Sequence, residues 1–199
     1  MTQSKYNRAV ELIDSANQQD PNQESDGGKN QPKELLYGHR MADMLERFAP
    51  DTDELMKLAI RAQHIQRWKS PRDAYPMDRK GYHQWRTGLY KFHADTASDL
   101  LLIAGYSEED VERARQAIGK KSLKSSSDTQ LVEDVAALVF IEYYMTGFVN
   151  RHPEYDEEKW IDIILRTWKK MSEKGQQFAL SGAVKLPEAL VPLITKAIS

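Results

Sequence analysis

The chain has 199 residues, a length that suits one domain. Hydrophobic residues make up 40% and charged residues 29%, which excludes an intrinsically disordered protein and favours a globular one. The absence of cysteine excludes disulfides, thiolate metal ligands and a cysteine nucleophile. The net charge of −2 argues against nucleic acid as a partner, and no apolar run approaches the roughly 18 residues of a membrane span, so we expect a cytoplasmic protein without a membrane partner.

The predicted elements are helical along the whole chain. A first amphipathic helix covers 4–17. The polar segment 18–32, with two prolines and a Gly-Gly pair, is predicted to be a loop that is long enough to be mobile or to act as a lid. Further helices are predicted over 33–48, 53–68, 79–104, 108–118, 130–149, 157–180 and 187–198. We therefore expect a single all-α domain of about seven or eight helices, with no strands.

The helix over 130–149 is apolar nearly all round, yet Asp134 and Glu142 lie within it as candidate site residues. An ionised carboxylate inside a protein needs a cation, a metal or strong hydrogen-bond donors. Each acid is therefore either a functional group or an Arg-paired residue that orients helices.

Three histidines lie beside apolar positions on three consecutive predicted helices: His39, His64 and His93. Imidazole and carboxylate together suit zinc, manganese, iron or nickel, and a ligand set without cysteine is more typical of a catalytic than of a closed structural site. One such histidine would more often be a core residue, but three with a buried Asp favour a site for one divalent metal ion.

The order of these residues resembles the HD phosphohydrolase superfamily, an all-helical group. Its members carry a His on one helix, a His-Asp pair on the next and a last Asp on a later buried helix. His39, His64 and Asp134 stand at these positions, and His93 stands where an intermediate His often lies. The resemblance implies an HD-like core over about 33–148, between the N-terminal segments (1–17 and 18–32) and C-terminal helices (149–199).

The second residue of the pair is Ile65 instead of Asp, and in two-metal members that Asp bridges the ions. The resemblance therefore implies one metal held by His39, His64 and Asp134, with His93 as a fourth ligand or proton donor. Alternatively, the metal is lost and the fold survives as a binding protein.

Longer strings are similar to a bacterial and fungal family known as domain of unknown function 4202. They are PKELLYGHRM, RAQHIQRWKSPRDAYPMDRKGYHQWR and LVEDVAALVFIEYY, and the similarity spans nearly the whole chain. This family brings no established activity with it.

The stretch 61–91 carries eight cations and two acids, so its net charge is +6 while the rest of the chain sums to −8. Five of these cations are arginines, which suit bidentate phosphate recognition: Arg61, Arg67, Arg72, Arg79 and Arg86. Aromatic residues lie between them, at Trp68, Tyr75, Tyr82 and Trp85. Either these residues form a solvated face with packing aromatics, or they bind a small anionic metabolite that is phosphorylated or nucleotide-like.

Three hypotheses follow. The first is a metal-dependent hydrolase in which a metal-bound hydroxide attacks a phosphoester held by the arginines, His93 assists, and Glu142 pairs with an arginine or orients a metal ligand. The second is a binding or regulatory protein without a metal that uses the same arginines. The third is an oxygenase with one iron ion in the same site. The oligomeric state is not predicted.

Overall fold

A computed structural model describes residues 3–123 and 125–198, so positions 1, 2, 124 and 199 of the predicted ranges lie outside it. The all-α prediction is confirmed, because the described residues form ten α-helices and one short two-stranded sheet. The helices are α1 (Lys5–Asn17), α2 (Lys33–Phe48), α3 (Glu54–Arg61), α4 (Arg79–Ala104), α5 (Glu108–Ile118), α6 (Ser127–Val139), α7 (Met145–Asn150), α8 (Glu157–Trp168), α9 (Glu173–Leu180) and α10 (Val191–Ile198).

Helix starts follow the capping residues in the sequence. The Asp78 carboxylate accepts a hydrogen bond from the Gly81 backbone N–H at 2.6 Å and begins α4, and the Ser107 hydroxyl accepts from Asp110 N–H at 3.1 Å and begins α5. Helix α4 ends at Gly105, whose φ of 99° is a left-handed conformation. The predicted bounds of α4 are therefore confirmed.

The prediction of one helix over 53–68 is wrong, because α3 ends at Arg61. Gln66 has a left-handed φ of 50°, and its backbone N–H donates to the Asn17 side chain at 2.9 Å. A short 3-10 turn then covers Arg67–Lys69. A hydrogen bond to a residue 49 positions away in sequence thus helps to hold the chain out of the helix.

Two other predicted helices are interrupted. The apolar helix over 130–149 contains a turn of π-helix, Phe140–Tyr144, between α6 and α7. The helix predicted over 157–180 is divided into α8 and α9, and Ser172 caps the second of them by accepting from Gly175 N–H at 3.1 Å. A further 3-10 turn, Glu188–Leu190, precedes α10.

The expectation that 18–32 contains no strand is also wrong. Strands β1 (Gln23–Asp26) and β2 (Lys29–Pro32) form an antiparallel hairpin whose turn is Gly27-Gly28, both with positive φ. At its base, the Asp20 carboxylate accepts hydrogen bonds from the backbone N–H of Asn22 and of Glu34. The hairpin is therefore anchored to the start of α2.

The core lies between the first six helices. Helix α4 packs against α1 and α5, and α2 packs against α3 and α6, with fully buried side chains such as Ile13, Met41, Ile60 and Leu138 at the contacts. In the C-terminal part α8 packs against α10, while α9 contacts α6. Burial of one such side chain stabilises a fold by about 1.5–3 kcal/mol. Of the helices described, none combines the length and the apolar character needed to cross a bilayer.

Candidate functional site

A cavity of about 420 Å³ lies between α2, α4, α6 and α8, within the size range of small-molecule sites. Its wall carries charged, histidine and aromatic side chains from elements that are distant in sequence. The polar and aromatic lining residues are Lys33, Glu34, Tyr37, Gln63, His64, Arg67, Tyr82, Arg86, Tyr90, His93, Lys120, Glu133, Phe140, Tyr144, Phe148, Thr167 and Lys170. A larger surface groove of about 830 Å³ runs between α4 and α5, but of the residues that line it only Ala94 is buried.

His64 is held on two sides and above its ring. Its Nε2 lies 3.3 Å from the Arg67 Nη1, and since a guanidinium only donates, Nε2 accepts and the proton sits on Nδ1. That Nδ1 lies 3.6 Å from the Glu34 carboxylate, and the Tyr37 ring stacks on the imidazole at 4.0 Å. Burial and the positive charge of Arg67 lower the pKa of His64 well below its usual value. His64 is therefore neutral near pH 7.

Glu34 is the acid nearest to this imidazole. The residue is only 5% exposed. Burial raises the pKa of its carboxyl from 4.5 to about 7, although the charges of Arg67 and Lys33 act in the opposite direction. The group is therefore distributed between its acid and its base form at neutral pH. A carboxyl with this property, in contact with a cavity, can donate or accept a proton there.

His93 lies behind His64, with 5.7 Å between the two ring centroids. The residue is 2% exposed, and its Nδ1 is 2.8 Å from the backbone carbonyl of Ile65. Burial lowers the pKa of His93 to about 3, helped by the charges of Arg67 and Arg86, so the ring is neutral. Its buried Nε2 has no hydrogen-bond partner among the described residues.

Arg67 and Arg86 bring guanidinium groups to the cavity. Arg67 lies 5.0 Å from the Trp85 ring centroid, and Arg86 donates to the Tyr90 hydroxyl at 2.7 Å. Within the part of the chain that the structure describes, no carboxylate is within salt-bridge distance of either guanidinium. Neither guanidinium is therefore neutralised by an ion pair among these residues.

Another part of the cavity wall contains cations that are paired with an acid. Lys120 forms an ion pair with Glu133, and Lys170 approaches the same carboxylate at 3.8 Å. Burial would raise the pKa of Glu133, but the charge of Lys120 outweighs it and the pKa is lowered. This wall therefore holds an ionised acid between two cations.

Unusual backbone conformations lie at the edge of the cavity. Gln66, between His64 and Arg67, and Lys120 are non-glycine residues with left-handed φ of 50° and 54°. The π-helical turn carries Phe140 and Tyr144, which both line the cavity. Sparsely populated conformations and π turns are frequent at functional sites.

Two predicted metal ligands lie outside the cavity. The Nε2 of His39 is 3.6 Å from the Asp14 carboxylate, and His39 does not line the cavity wall. Asp134 accepts hydrogen bonds from Ser172 N–H at 2.7 Å, from the Ser172 hydroxyl and from the Gln130 amide at 2.9 Å. The structure therefore does not bring His39 and Asp134 to His64, because each is engaged by a different neighbour.

Two of the other predicted residues, Glu142 and Arg61, form structural ion pairs. Glu142 pairs with Arg47 at 2.9 Å and accepts from Lys185 N–H at 2.9 Å, so it follows the Arg-paired alternative and does not reach the cavity. Arg61 forms a bidentate pair with Asp14, 2.6 Å and 2.7 Å long. These contacts join helices to each other or to the C-terminal segment.

The five predicted arginines are thus divided. Arg67 and Arg86 line the cavity, whereas Arg72 donates to the backbone carbonyls of Tyr75 and Asp78, and Arg79 is exposed at the start of α4. The loop before α4 turns Arg72 onto its own backbone.

The metal centre implied by the HD resemblance does not fit these residues. Among the described residues no group of three His, Asp or Glu side chains is arranged to hold a metal ion. The oxygens of Asp134 are occupied by donors, and the Nε2 of His64 accepts from Arg67. We therefore derive no catalytic step through a protein-bound metal.

Sequence reasoning missed the acids and lysines of the cavity. Glu34 lies in the charged first turn of α2, and Glu133 lies next to the predicted Asp134. Lys120 lies in a polar connector. The one available signal was spacing: Glu34 and Tyr37 are three residues apart, which places them on one face of α2.

Comparisons with known proteins give one match. A family model described as "Domain of unknown function (DUF4202)" matches residues 7–194. No curated protein and no solved structure shows significant similarity to the chain.

Proposed function

Because this chain belongs to the DUF4202 family of unknown function, we propose a function from its cavity: it binds a small phosphorylated metabolite. The observation that carries this proposal is the pair of guanidiniums, Arg67 and Arg86, that line the cavity without a carboxylate partner. An arginine fork donates two parallel hydrogen bonds to a phosphate, which makes it suited to this ligand group.

The remaining wall supports an anionic ligand. Five cations line the cavity against two acids, so the wall is net positive although the chain as a whole is net negative. Tyr82, which is 45% exposed, and Tyr90 add aromatic surface against which a sugar or base ring can pack. The volume of about 420 Å³ suits a sugar phosphate or a mononucleotide better than a polymer.

Hydrolysis of the bound phosphoester is the second candidate, favoured by the specific position of Glu34. Its carboxyl has a pKa of about 7 and contacts the cavity beside neutral His64. In this hydrolysis, water would attack the phosphorus of a phosphoester bound by Arg67 and Arg86 while the ester P–O bond breaks. The Glu34 carboxyl would donate its proton to the leaving oxygen, and the proton released by the attacking water would restore the carboxyl. The iron oxygenase hypothesis has no such observation in its favour.

The first test is calorimetric titration of the protein with inorganic phosphate, glycerol 3-phosphate and AMP, and with glycerol and adenosine as unphosphorylated controls. We expect binding only of the phosphorylated compounds. Arg67→Gln and Arg86→Gln should each weaken binding by about ten-fold or more, because each removes a charge-assisted contact worth about 1.5–3 kcal/mol.

Arg79→Gln is the matched control, since Arg79 is an exposed arginine of the same basic stretch that lies outside the cavity. Its affinity should equal that of the wild type. Equal loss in Arg79→Gln and Arg67→Gln would indicate a diffuse surface charge effect and contradict the proposal, as would binding that does not depend on phosphate.

Release of inorganic phosphate from the bound compounds, with and without added Mg²⁺, Mn²⁺ or Zn²⁺, separates the two candidates. Glu34→Gln should abolish turnover while phosphate binding persists if the chain is a hydrolase. Binding without turnover under all these conditions leaves the binding function alone.

A further inference from the structure

A buried nitrogen without a partner marks one point of the cavity wall. His93 is 2% exposed and lines the cavity, and its Nε2 has no hydrogen-bond partner among the described residues. Buried polar atoms in folded proteins are almost always hydrogen-bonded, so an unpaired one calls for a physical explanation. A ligand group that completes the pair is one such explanation.

The chemistry of that atom follows from the opposite side of the ring. The Nδ1 of His93 lies 2.8 Å from the Ile65 carbonyl oxygen, and a carbonyl only accepts, so Nδ1 carries the proton. The neutral ring has a single proton, because burial holds its pKa at about 3. The Nε2 therefore presents a bare lone pair, and its partner has to be a hydrogen-bond donor.

The surroundings of His93 select the kind of donor. The charges of Arg67, Arg86 and Lys120 are close enough to lower the pKa of the imidazole. The same charges repel an ammonium group, so a charged amine is disfavoured next to Nε2. A neutral hydroxyl donates a hydrogen bond without this repulsion.

We propose that the cavity is specific for a hydroxylated phosphate ester, a phosphorylated sugar or polyol, with a ligand hydroxyl donating to the Nε2 of His93. This inference rests on the proposed function, since Arg67 and Arg86 hold the phosphate of the same ligand. His64 lies between the two contacts: its ring is 5.7 Å from that of His93, and its Nε2 is 3.3 Å from Arg67. A guanidinium for the phosphate and an acceptor for the hydroxyl are therefore close enough for one small ligand.

Three six-carbon phosphate monoesters test it in the wild-type protein: sorbitol 6-phosphate, hexyl phosphate and 6-aminohexyl phosphate. Sorbitol 6-phosphate should bind at least about ten-fold more tightly than the other two, because a site built around a hydrogen bond rejects analogues that lack the donor. The apolar chain of hexyl phosphate gains more from burial, so this contrast is conservative. Inorganic phosphate is titrated alongside as the probe of the arginines alone.

Two variants of His93 distinguish the loss of the Nε2 acceptor from a disturbance of the fold. In His93→Asn the amide nitrogen replaces Nδ1 and preserves the donor to Ile65, but the acceptor is lost. In His93→Gln the side-chain oxygen reaches the place of Nε2 and restores an acceptor. We expect the preference for sorbitol 6-phosphate over hexyl phosphate to fall about ten-fold in His93→Asn and to recover in part in His93→Gln.

The outcomes are distinguishable from those of the proposed function. Equal affinity of the wild type for sorbitol 6-phosphate and hexyl phosphate would overturn the hydroxyl inference while leaving a phosphate site in place. Tighter binding of 6-aminohexyl phosphate would also overturn it. Failure of all phosphate compounds, including inorganic phosphate, would overturn both. The wild-type comparison needs no variant and holds even if a His93 variant fails to fold.

Discussion

Asn17 joins two segments that carry cavity residues although it does not line the cavity itself. It is 2% exposed at the end of α1; its amide donates to the Glu34 carbonyl at 3.3 Å and accepts from Gln66 N–H at 2.9 Å. One buried side chain thus joins the start of α2 to the turn that carries His64 and Arg67. At the scale of residues, the site is built from such long-range polar contacts.

The burial of Glu34 predicts a pH-dependent stability. Its carboxyl has a pKa of about 7 in the folded protein against 4.5 as its ordinary value. Between these pH values the folded state keeps a proton that the unfolded state releases, so the free energy of unfolding falls as the pH rises. The stability that the protonated Glu34 carboxyl contributes is fully present below about pH 4.5 and is lost by about pH 7. Glu34→Gln does not ionise, so relative to the wild type it should gain about 1–3 kcal/mol between pH 4.5 and pH 8.

Urea denaturation of the wild type and of Glu34→Gln at pH 4.5, 6 and 8 measures this difference. Both proteins contain the same histidines, so the effect of these residues on stability cancels in the comparison. Glu11→Gln, at an exposed glutamate of α1, is the control and should follow the wild type at each pH. A constant difference between Glu34→Gln and the wild type over the three pH values would contradict the burial argument.

Asp134 shows how one helix positions another. It projects from α6 and accepts hydrogen bonds from both the backbone and the hydroxyl of Ser172, the residue that caps α9. Gly175, in the first turn of α9, lies so close that an added Cβ would be 3.0 Å from the Asp134 carboxylate. The buried acid of the apolar helix therefore fixes the start of α9 against α6.

Replacement of this acid should cost stability and not ligand binding. Asp134→Ala leaves the Ser172 donors unpaired, so the free energy of unfolding should fall by about 2–4 kcal/mol. Asp162→Ala, which removes an exposed acid paired with Arg166 within α8, should cost less than about 1 kcal/mol. Urea denaturation gives both values. A phosphate affinity that disappears in folded Asp134→Ala would instead assign this residue to the site.

At the scale of the whole molecule, a buried arginine joins the β1–β2 hairpin to the helices. Arg40 of α2 pairs with Glu24 and, at 3.0 Å, with Asp26, both in β1. The same guanidinium donates to the Tyr144 hydroxyl at 2.9 Å, and Tyr144 lines the cavity. One cation thus ties the hairpin, a core helix and the π-helical turn together.

Arg40→Met should release the hairpin from the helical body. Two acids would lose their cation, and a charge-assisted contact is worth about 1.5–3 kcal/mol, so local opening should become roughly ten-fold or more frequent. Hydrogen–deuterium exchange of residues 23–32, followed by mass spectrometry from milliseconds onward, measures this opening.

Lys29→Met, at an exposed position of β2, is the control and should leave the exchange unchanged. If Arg40→Met exchanges at the wild-type rate over 23–32, the hairpin is held by its own hydrogen bonds and the anchoring role of Arg40 is contradicted.

Local signals in the sequence were sufficient for the helical class and for many helix ends. The periodicity of apolar residues predicts the buried face of α2, and the capping residues Asp78 and Ser107 with the stop at Gly105 place α4 and α5. Asp134 and Glu142 in the apolar helix were expected to have partners, and both have them. These features depend on neighbours within a few residues, which the sequence displays directly.

The tertiary structure decided which of the predicted side chains come together at the cavity. His64 and His93 meet because α3 stops at Arg61 and the following turn is fixed by Asn17, whereas His39 is directed to Asp14 and Asp134 to Ser172. Whether two side chains converge depends on where each helix ends and how it is rotated about its axis. Both are set by contacts between residues far apart in the chain, which helical periodicity does not encode.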